Sequence, residues 1–279
     1  MKRLLPALLL FVALAGIVMA QRRFGYGSEG IRTAREVPTG STGTPMWHYP
    51  KGFEKDVFTF TRIRYSSRGG RWGWSTDLPD SDLNLSYRLQ QMTSSKVDPD
   101  GRIVNIMDPD LHEHPWTYMA EPGNLYFTEA EIPVFRKYLL NGGFVMLDDF
   151  WGDSAWRNVE REFKRVFPEY SFVDLPLDHP LYTCVFTIKA KGQVPNVRTG
   201  DQSQYTGVTW ETNHDGDTRT VNHRAIFDEK GRLLVLATHN TDNGDGWERE
   251  GESAYYFANF SEKIAYPLGI NIIFYVMTH

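Results

Sequence analysis

Asn141-Gly142-Gly143-Phe144-Val145-Met146-Leu147-Asp148-Asp149-Phe150-Trp151-Gly152 constrains the fold more than any other stretch of the chain. Glycine at 142 or 143 supplies a left-handed helix stop. Phe144 to Leu147 is a short, wholly apolar strand, and two adjacent carboxylates follow at its carboxyl end, just before a new helical pattern. A strand this apolar is covered on both faces, and in open α/β sheets the carboxyl edge of such strands is where ligands bind.

The flanking sequence repeats the same rhythm. Upstream, Thr128 and Glu131 form a Thr-x-x-Glu capping box before a helix with Ile132, Phe135, Tyr138 and Leu139 on one face, and Pro133 moves its regular start a few residues on. Downstream, Trp156, Val159, Phe163, Val166 and Phe167 follow a cap at Asp153 or Ser154, and Pro168 ends the run. Val57–Tyr65 alternates as a first strand. Ile103–Met107 and Pro115–Ala120 read as two more, and a helix with Leu85, Leu89 and Met92 in one stripe, capped by Asp80, Ser81 or Asp82, lies between the first two. Alternation of strand and helix means parallel strands joined by right-handed crossovers. Ala225–Asp228 and Leu233–Thr238 form a hairpin, and about Ala254 to Met277 is a closing helix interrupted by Pro267, Gly269 and Asn271, which docks on the sheet rather than spanning a membrane. Residues 174–222, with Pro176, Pro180, Pro195 and β-prone runs such as Thr183–Ile188, read as a β-rich insertion or lid.

The beginning of the chain reads differently. Lys2 and Arg3 precede an apolar run from Leu4 to Val18, and Val18-Met19-Ala20 places small residues before Gln21, the pattern of a cleavable secretory signal at 1–20. The expected location is periplasmic or secreted. Residues 21–52, rich in Gly, Ser, Thr, Pro and Arg, read as a flexible leader, leaving 53–279 as a single α/β domain. Removing Lys2 and Arg3 from the 30 basic residues leaves 28 against 35 acidic, a charge of −7. That balance, without a basic patch, excludes nucleic acid as the partner class. Cys184 is the lone cysteine, so no internal disulfide staples the chain, and its place in a β-prone run reads as a small buried apolar group.

Polar clusters follow several of the expected strands. They comprise the loop from Arg71 to Asp80 with Trp72, Trp74 and Asp77, then Glu121, then Asp148 and Asp149 with Trp151, then His239 to Asp245. If the strands are parallel neighbours, the clusters meet at one rim as a binding cleft; the plainer alternative is that Asp and Gly populate turns. Adjacent side chains on an extended backbone point to opposite faces, so only one of Asp148 and Asp149 readily enters a shared site. Asp242 and Asp245 offer hard oxygen ligands, and so does Asn213-His214-Asp215-Gly216-Asp217, but neither matches the EF-hand spacing. His112 and His114 alternate before a strand as weaker ligand candidates, and Asp178-His179-Pro180 offers an acid–base pair or an ordinary turn.

Thr76–Leu89, Glu121-Pro122-Gly123, Leu140–Gly152 with its Asp-Asp-Phe-Trp-Gly run, and Leu177-Asp178-His179-Pro180 together resemble the domain of unknown function 4159 family, a bacterial family grouped with class I glutamine amidotransferase-like folds. The resemblance extends from about Val57 to the carboxyl terminus. It implies a flavodoxin-like, class I glutamine amidotransferase-like three-layer sandwich with a mainly parallel sheet, in agreement with the pattern above, and it implies no activity. Amidotransferases of this fold carry their cysteine at the strand-to-helix elbow, where this chain has Asp148 or Asp149. Hydrolysis of glutamine through a thioester is therefore excluded.

Beside a purely structural role in the envelope, two functions remain. One is a non-catalytic module, needing no cofactor, that binds a glycan or a cell-envelope protein through Trp72, Trp74, Asp77, Asp80, Glu121, Asp148, Asp149 and Trp151. The other is a carboxylate- or metal-dependent hydrolase in which Asp148 or Asp149 acts with His179 or His239 as acid–base.

Overall fold

A computed structural model describes residues 30–53, 56–68 and 73–279. The expected signal at 1–20, the first part of the leader and Trp72 lie outside the described residues. The chain divides into two units, 1–32 and Thr33–His279.

The larger unit is built on a seven-stranded sheet. Five strands run parallel: β1 (Thr61–Arg64), β3 (Arg102–Asn105), β4 (Trp116–Ala120), β6 (Phe144–Phe150) and β9 (Leu233–His239). Their spatial order is β3-β1-β4-β6-β9, which in chain order of the parallel strands is second, first, third, fourth, fifth. β8 (Asn222–Phe227) and the two-residue β7 (Val173–Asp174) continue the sheet antiparallel. β2 (Ser66–Ser67) and β5 (Leu125–Tyr126) pair as a separate ribbon.

Helices α1 (Asp80–Met92), α5 (Asn243–Glu248) and α7 (Tyr266–Thr278) pack together on one face. That face is filled by Leu85, Leu89, Trp116, Tyr118, Phe144, Met146 and Trp247. On the other face α2 (Glu131–Leu140) packs against α3 (Gly152–Val166), with Phe135 and Phe163 both against Phe127. The capping box forms as read: Thr128 N–H donates to Glu131 Oε2 at 2.8 Å, and Glu131 N–H returns to Thr128 Oγ1 at 3.3 Å. Helix α2 keeps Pro133 in its first turn, where the missing N–H costs no helical bond.

Three readings need correction. First, the insertion is not β-rich: between β7 and β8 the structure has a 3₁₀ turn at Pro180–Tyr182 and helix α4 (Val197–Thr206). The extended run around Phe186 finds a side chain in place of a neighbouring strand. Asn271 on α7 accepts from Phe186 N–H at 2.8 Å and donates to its carbonyl at 2.8 Å. Cys184 there is exposed, not buried. Second, the leader packs from Thr33 onward. Ala34 is buried, Arg35 donates to the carbonyls of Pro99, Thr44 and Pro45, and Trp47 Nε1 donates to Val97 O at 2.9 Å. Third, the closing segment is one helical run, α6 (Ala254–Tyr256), a π-helix at Phe257–Ala265, then α7. The widened π turns stand just before Pro267, where its ring and absent N–H must be accommodated. Among the described residues no helix is long and apolar enough to cross a membrane.

Candidate functional site

The carboxyl ends of β1, β4, β6 and β9 face one rim, and each strand or the loop after it holds a strained residue. Among the described residues, the non-glycine positions with left-handed backbone are Asp77 (φ 63°), Glu121 (φ 46°), Asp149 (φ 56°) and Asn240 (φ 63°). One belongs to each of these four strands or its following loop. Such a conformation costs about 1 kcal/mol or more per residue and persists only where the surroundings hold it. Asp77, Glu121 and Asp149 line a cleft of about 760 Å³, with Trp151, Asp242 and Asp245. The cleft also contains Asn124, Asn158, Asn196, Asn213 and Arg161.

Arg62, fully buried on β1, delivers Asp77. Its guanidinium pairs with Asp82 through Nε at 3.0 Å and Nη2 at 2.5 Å. It also donates to the carbonyls of Trp74 (2.9 Å) and Thr76 (2.8 Å) and to Ser81 Oγ (2.9 Å). Burial acts against its charge, but Asp82, with help from Tyr118 and Asp77, outweighs burial and holds the guanidinium above its ordinary value. The loop before α1 is thus fastened from beneath by a single side chain.

The adjacent aspartates divide their labour as strand geometry requires. Asp148 turns inward and is saturated. Its Oδ1 accepts from Thr238 Oγ1 (2.5 Å) and Asn243 Nδ2 (2.8 Å), and its Oδ2 from Gly244 N (2.9 Å) and Tyr118 OH (3.2 Å). It ties β4, β6, β9 and α5 together and offers nothing to a ligand. Asp149 faces the cleft, where Trp151 Nε1 donates to its Oδ1 at 3.2 Å. The following Gly152 (φ 81°) admits no side chain, because a Cβ there would lie 2.3 Å from the Asp215 carbonyl. Asp215 in turn accepts from Asp153 N and Ser154 N. The Asn213–Asp217 loop, read as a calcium-ligand candidate, is in fact the cap of α3.

The other expected site residues sort clearly. Trp74 is buried under Arg64 rather than offered as a stacking surface. Asp80 is outside the cleft, accepting from Thr39 Oγ1, Gly40 N and Ser41 N, and so anchors the amino-terminal segment. His179 caps the Pro180 turn, accepting from Leu181 N at 3.3 Å, with its Nε2 against Tyr275 OH. His239 is buried, with Nε2 3.0 Å from the Gly152 carbonyl, and burial lowers it to about 4. Its Nε2 donates to that carbonyl and so positions the elbow. Neither histidine lines the cleft. Asp242 and Asp245 do, Arg249 joins them, and Glu248 stands behind as Arg249's partner. Those two went unread because nothing in the sequence distinguishes a short helix after β9 from an ordinary loop.

The acids crowd. Carboxylate oxygens of Asp77, Asp149 and Asp242 lie within 4.8 Å of one another, as do those of Asp77, Asp245 and Glu248. Burial, and then repulsion from neighbouring carboxylates, raises Asp77, Asp149 and Asp242 well above the carboxylate range. Burial also pushes Glu248 up to about 8, against the pull of Arg249. These acids bind protons in the folded state that the unfolded chain releases near pH 4, so they stabilise the fold fully only below that value. Their contribution is lost as pH rises through the raised folded values, a window that reaches about 8 for Glu248. In metal-free buffer containing EDTA, Asp149→Asn protein should therefore be more stable than wild type, by a margin that widens from pH 4 to pH 8. The buried histidines act in the opposite sense but are common to both proteins and cancel in the difference. Urea midpoints measured across this range test the trend, and a margin independent of pH would remove the crowded-acid account.

A family model described as Domain of unknown function (DUF4159) matches residues 59–277. No curated protein matches the chain. The match spans well over half of the sequence, and the chain belongs to that family.

Proposed function

We propose, for this member of the DUF4159 family, an exported binding module that holds a hydroxyl-rich ligand, a glycan by chemical class, in the cleft at the carboxyl edge of its parallel sheet. The observation that carries this reading is that three of the four left-handed residues, Asp77, Glu121 and Asp149, line the cleft from the loops after β1 and β4 and the end of β6, while the fourth, Asn240, braces the rim through Gly152, Asp217 and Thr220. Strain of that kind is retained where a site needs it. Carboxylates accept from sugar hydroxyls, the amides of Asn124, Asn158, Asn196 and Asn213 both donate and accept, and Trp151 supplies an aromatic wall. The order of the parallel strands is that of flavodoxin-like sheets, whose ligands sit at this edge, and it favours the amidotransferase-like fold class. Export rests on the basic, apolar and small-residue pattern of residues 1–20.

A second reading, a carboxylate-dependent hydrolase, is favoured by one feature: Asp149 occupies a strained strand-to-helix elbow where burial raises its carboxyl well above the carboxylate range, the direction a general acid needs. Tryptophan fluorescence titrated with a panel of envelope glycans separates the two. Saturable binding without product, weakened about tenfold or more by Glu121→Gln or Asn158→Ala, is expected from the module. Release of product that disappears in Asp149→Asn protein would replace it with the hydrolase, and no response to any glycan would leave neither standing.

A further inference from the structure

We propose that Asp77, Asp149 and Asp242 form a binding site for a hard divalent cation, calcium or magnesium, on the floor of the cleft. This deepens the ligand-binding reading above and rests on it only for the role the ion would serve. The first argument is distance. Ligand oxygens sit 2.3–2.6 Å from calcium, so two oxygens on one ion are separated by at most about 5 Å. The three carboxylates meet that limit together, with oxygens within 4.8 Å of one another. They come from the β1–α1 loop, the end of β6 and the start of α5, so no local turn or helix accounts for their convergence.

The second argument is independent of the first. Asp77 Oδ2 is sealed from solvent and receives no hydrogen bond. It lies so close to Gly244 that a Cβ there would be 2.2 Å away, so the glycine is what allows the carboxylate in. A buried carboxylate oxygen without a donor is costly to leave unmatched, and a cation supplies the missing partner.

Competition from the neighbouring acids is settled by what already satisfies them. Asp245 Oδ2 accepts from Val197 N at 2.7 Å, and Glu248 is paired with Arg249 at 2.6 Å. In the proposed set, Asp149 Oδ1 takes only the Trp151 donor and Asp242 Oδ1 only Asp245 N at 2.7 Å. The second oxygen of each of these two acids has no hydrogen bond among the described residues. Hard oxygens from three carboxylates, with room for water or sugar hydroxyls from the cleft side, are the donor set that calcium and magnesium prefer over zinc or copper. The ion would then be the point to which vicinal hydroxyls of a glycan are drawn.

Terbium is the probe, because Trp151 donates to Asp149 and stands where it can sensitise lanthanide emission. Full-length mature protein should show saturable terbium luminescence at one site per chain, displaced by calcium or magnesium. Asp77→Asn and Asp242→Asn should each weaken it at least about tenfold, whereas Glu129→Gln, an exposed acid that does not line the cleft, should not. Because each Asn removes repulsion in a crowded cluster, both variants should fold, and circular dichroism checks this. Absence of saturable emission, or equal affinity in wild type and both variants, overturns the site. A glycan titration in EDTA keeps the two readings apart: binding that survives chelation while terbium binding is absent retains the module and ends the cation site.

Discussion

Arg62→Ala protein is expected to lose about 3–5 kcal/mol of stability, the usual consequence of stranding one member of a buried ion pair. Asp82 is 1% exposed and would keep its charge with no counter-ion. The carbonyls of Trp74 and Thr76 would lose their donors in the same stroke. For a domain of this size the loss corresponds to roughly 6–20 °C in Tm. The pair itself need not be worth that much, since replacing both partners with apolar groups removes the desolvation cost along with the attraction. Arg62→Met combined with Asp82→Leu should therefore recover a substantial part of the stability lost by either single change. It should not recover cleft function, because the loop carrying Asp77 would no longer be fastened from beneath. Urea unfolding of the four proteins gives the coupling, and terbium titration reads the position of Asp77. A single-variant loss under about 1 kcal/mol would show that Arg62 is not the fastening the geometry implies.

The strands and helices were legible where the apolar period was unambiguous. Phe144 to Leu147, the Thr128–Glu131 box and the hairpin around Gly231 all stand where the sequence placed them, because local capping and burial agree there with the tertiary fold. The insertion was misread because Thr183–Ile188 has β propensity but no strand beside it, and propensity cannot foresee that Asn271 will answer its backbone. The site was legible in part. Asp77, Glu121, Asp149 and Asp242 were visible as acids after strands, and the topology brings them together. Trp74 and Asp80 were drawn in by neighbouring them in the chain, yet one lies under Arg64 and the other holds Thr39 to Ser41. Which of two adjacent aspartates faces a ligand depends on the left-handed turn at Asp149, and no residue type announces that in a non-glycine.

That turn leads to a second large effect, at the neighbour. Asp148→Ala should cost about 3–5 kcal/mol, because it leaves Thr238, Asn243, Gly244 and Tyr118 facing a void with up to four buried donors unmet. Asp148→Asn should be far milder. Its carbonyl oxygen can keep the donors on the Gly244 and Tyr118 side, while its amide faces Thr238 and Asn243. Thr238 Oγ1 already lies 3.0 Å from the Leu147 carbonyl and can donate there, becoming an acceptor for the new amide. Asn243 Oδ1 has no hydrogen bond in the native arrangement, so a flip of that side chain offers a second acceptor. The asparagine also removes a buried charge that adds to the repulsion on Asp149. If Asp148 instead served as a nucleophile or proton carrier, the two substitutions would abolish function alike. Thermal melts and glycan or terbium titrations on both variants decide the matter. Asparagine protein that folds and binds within a few-fold of wild type, beside alanine protein that melts many degrees lower, assigns Asp148 to holding the rim together. Equal loss in both would return it to the chemistry of the cleft.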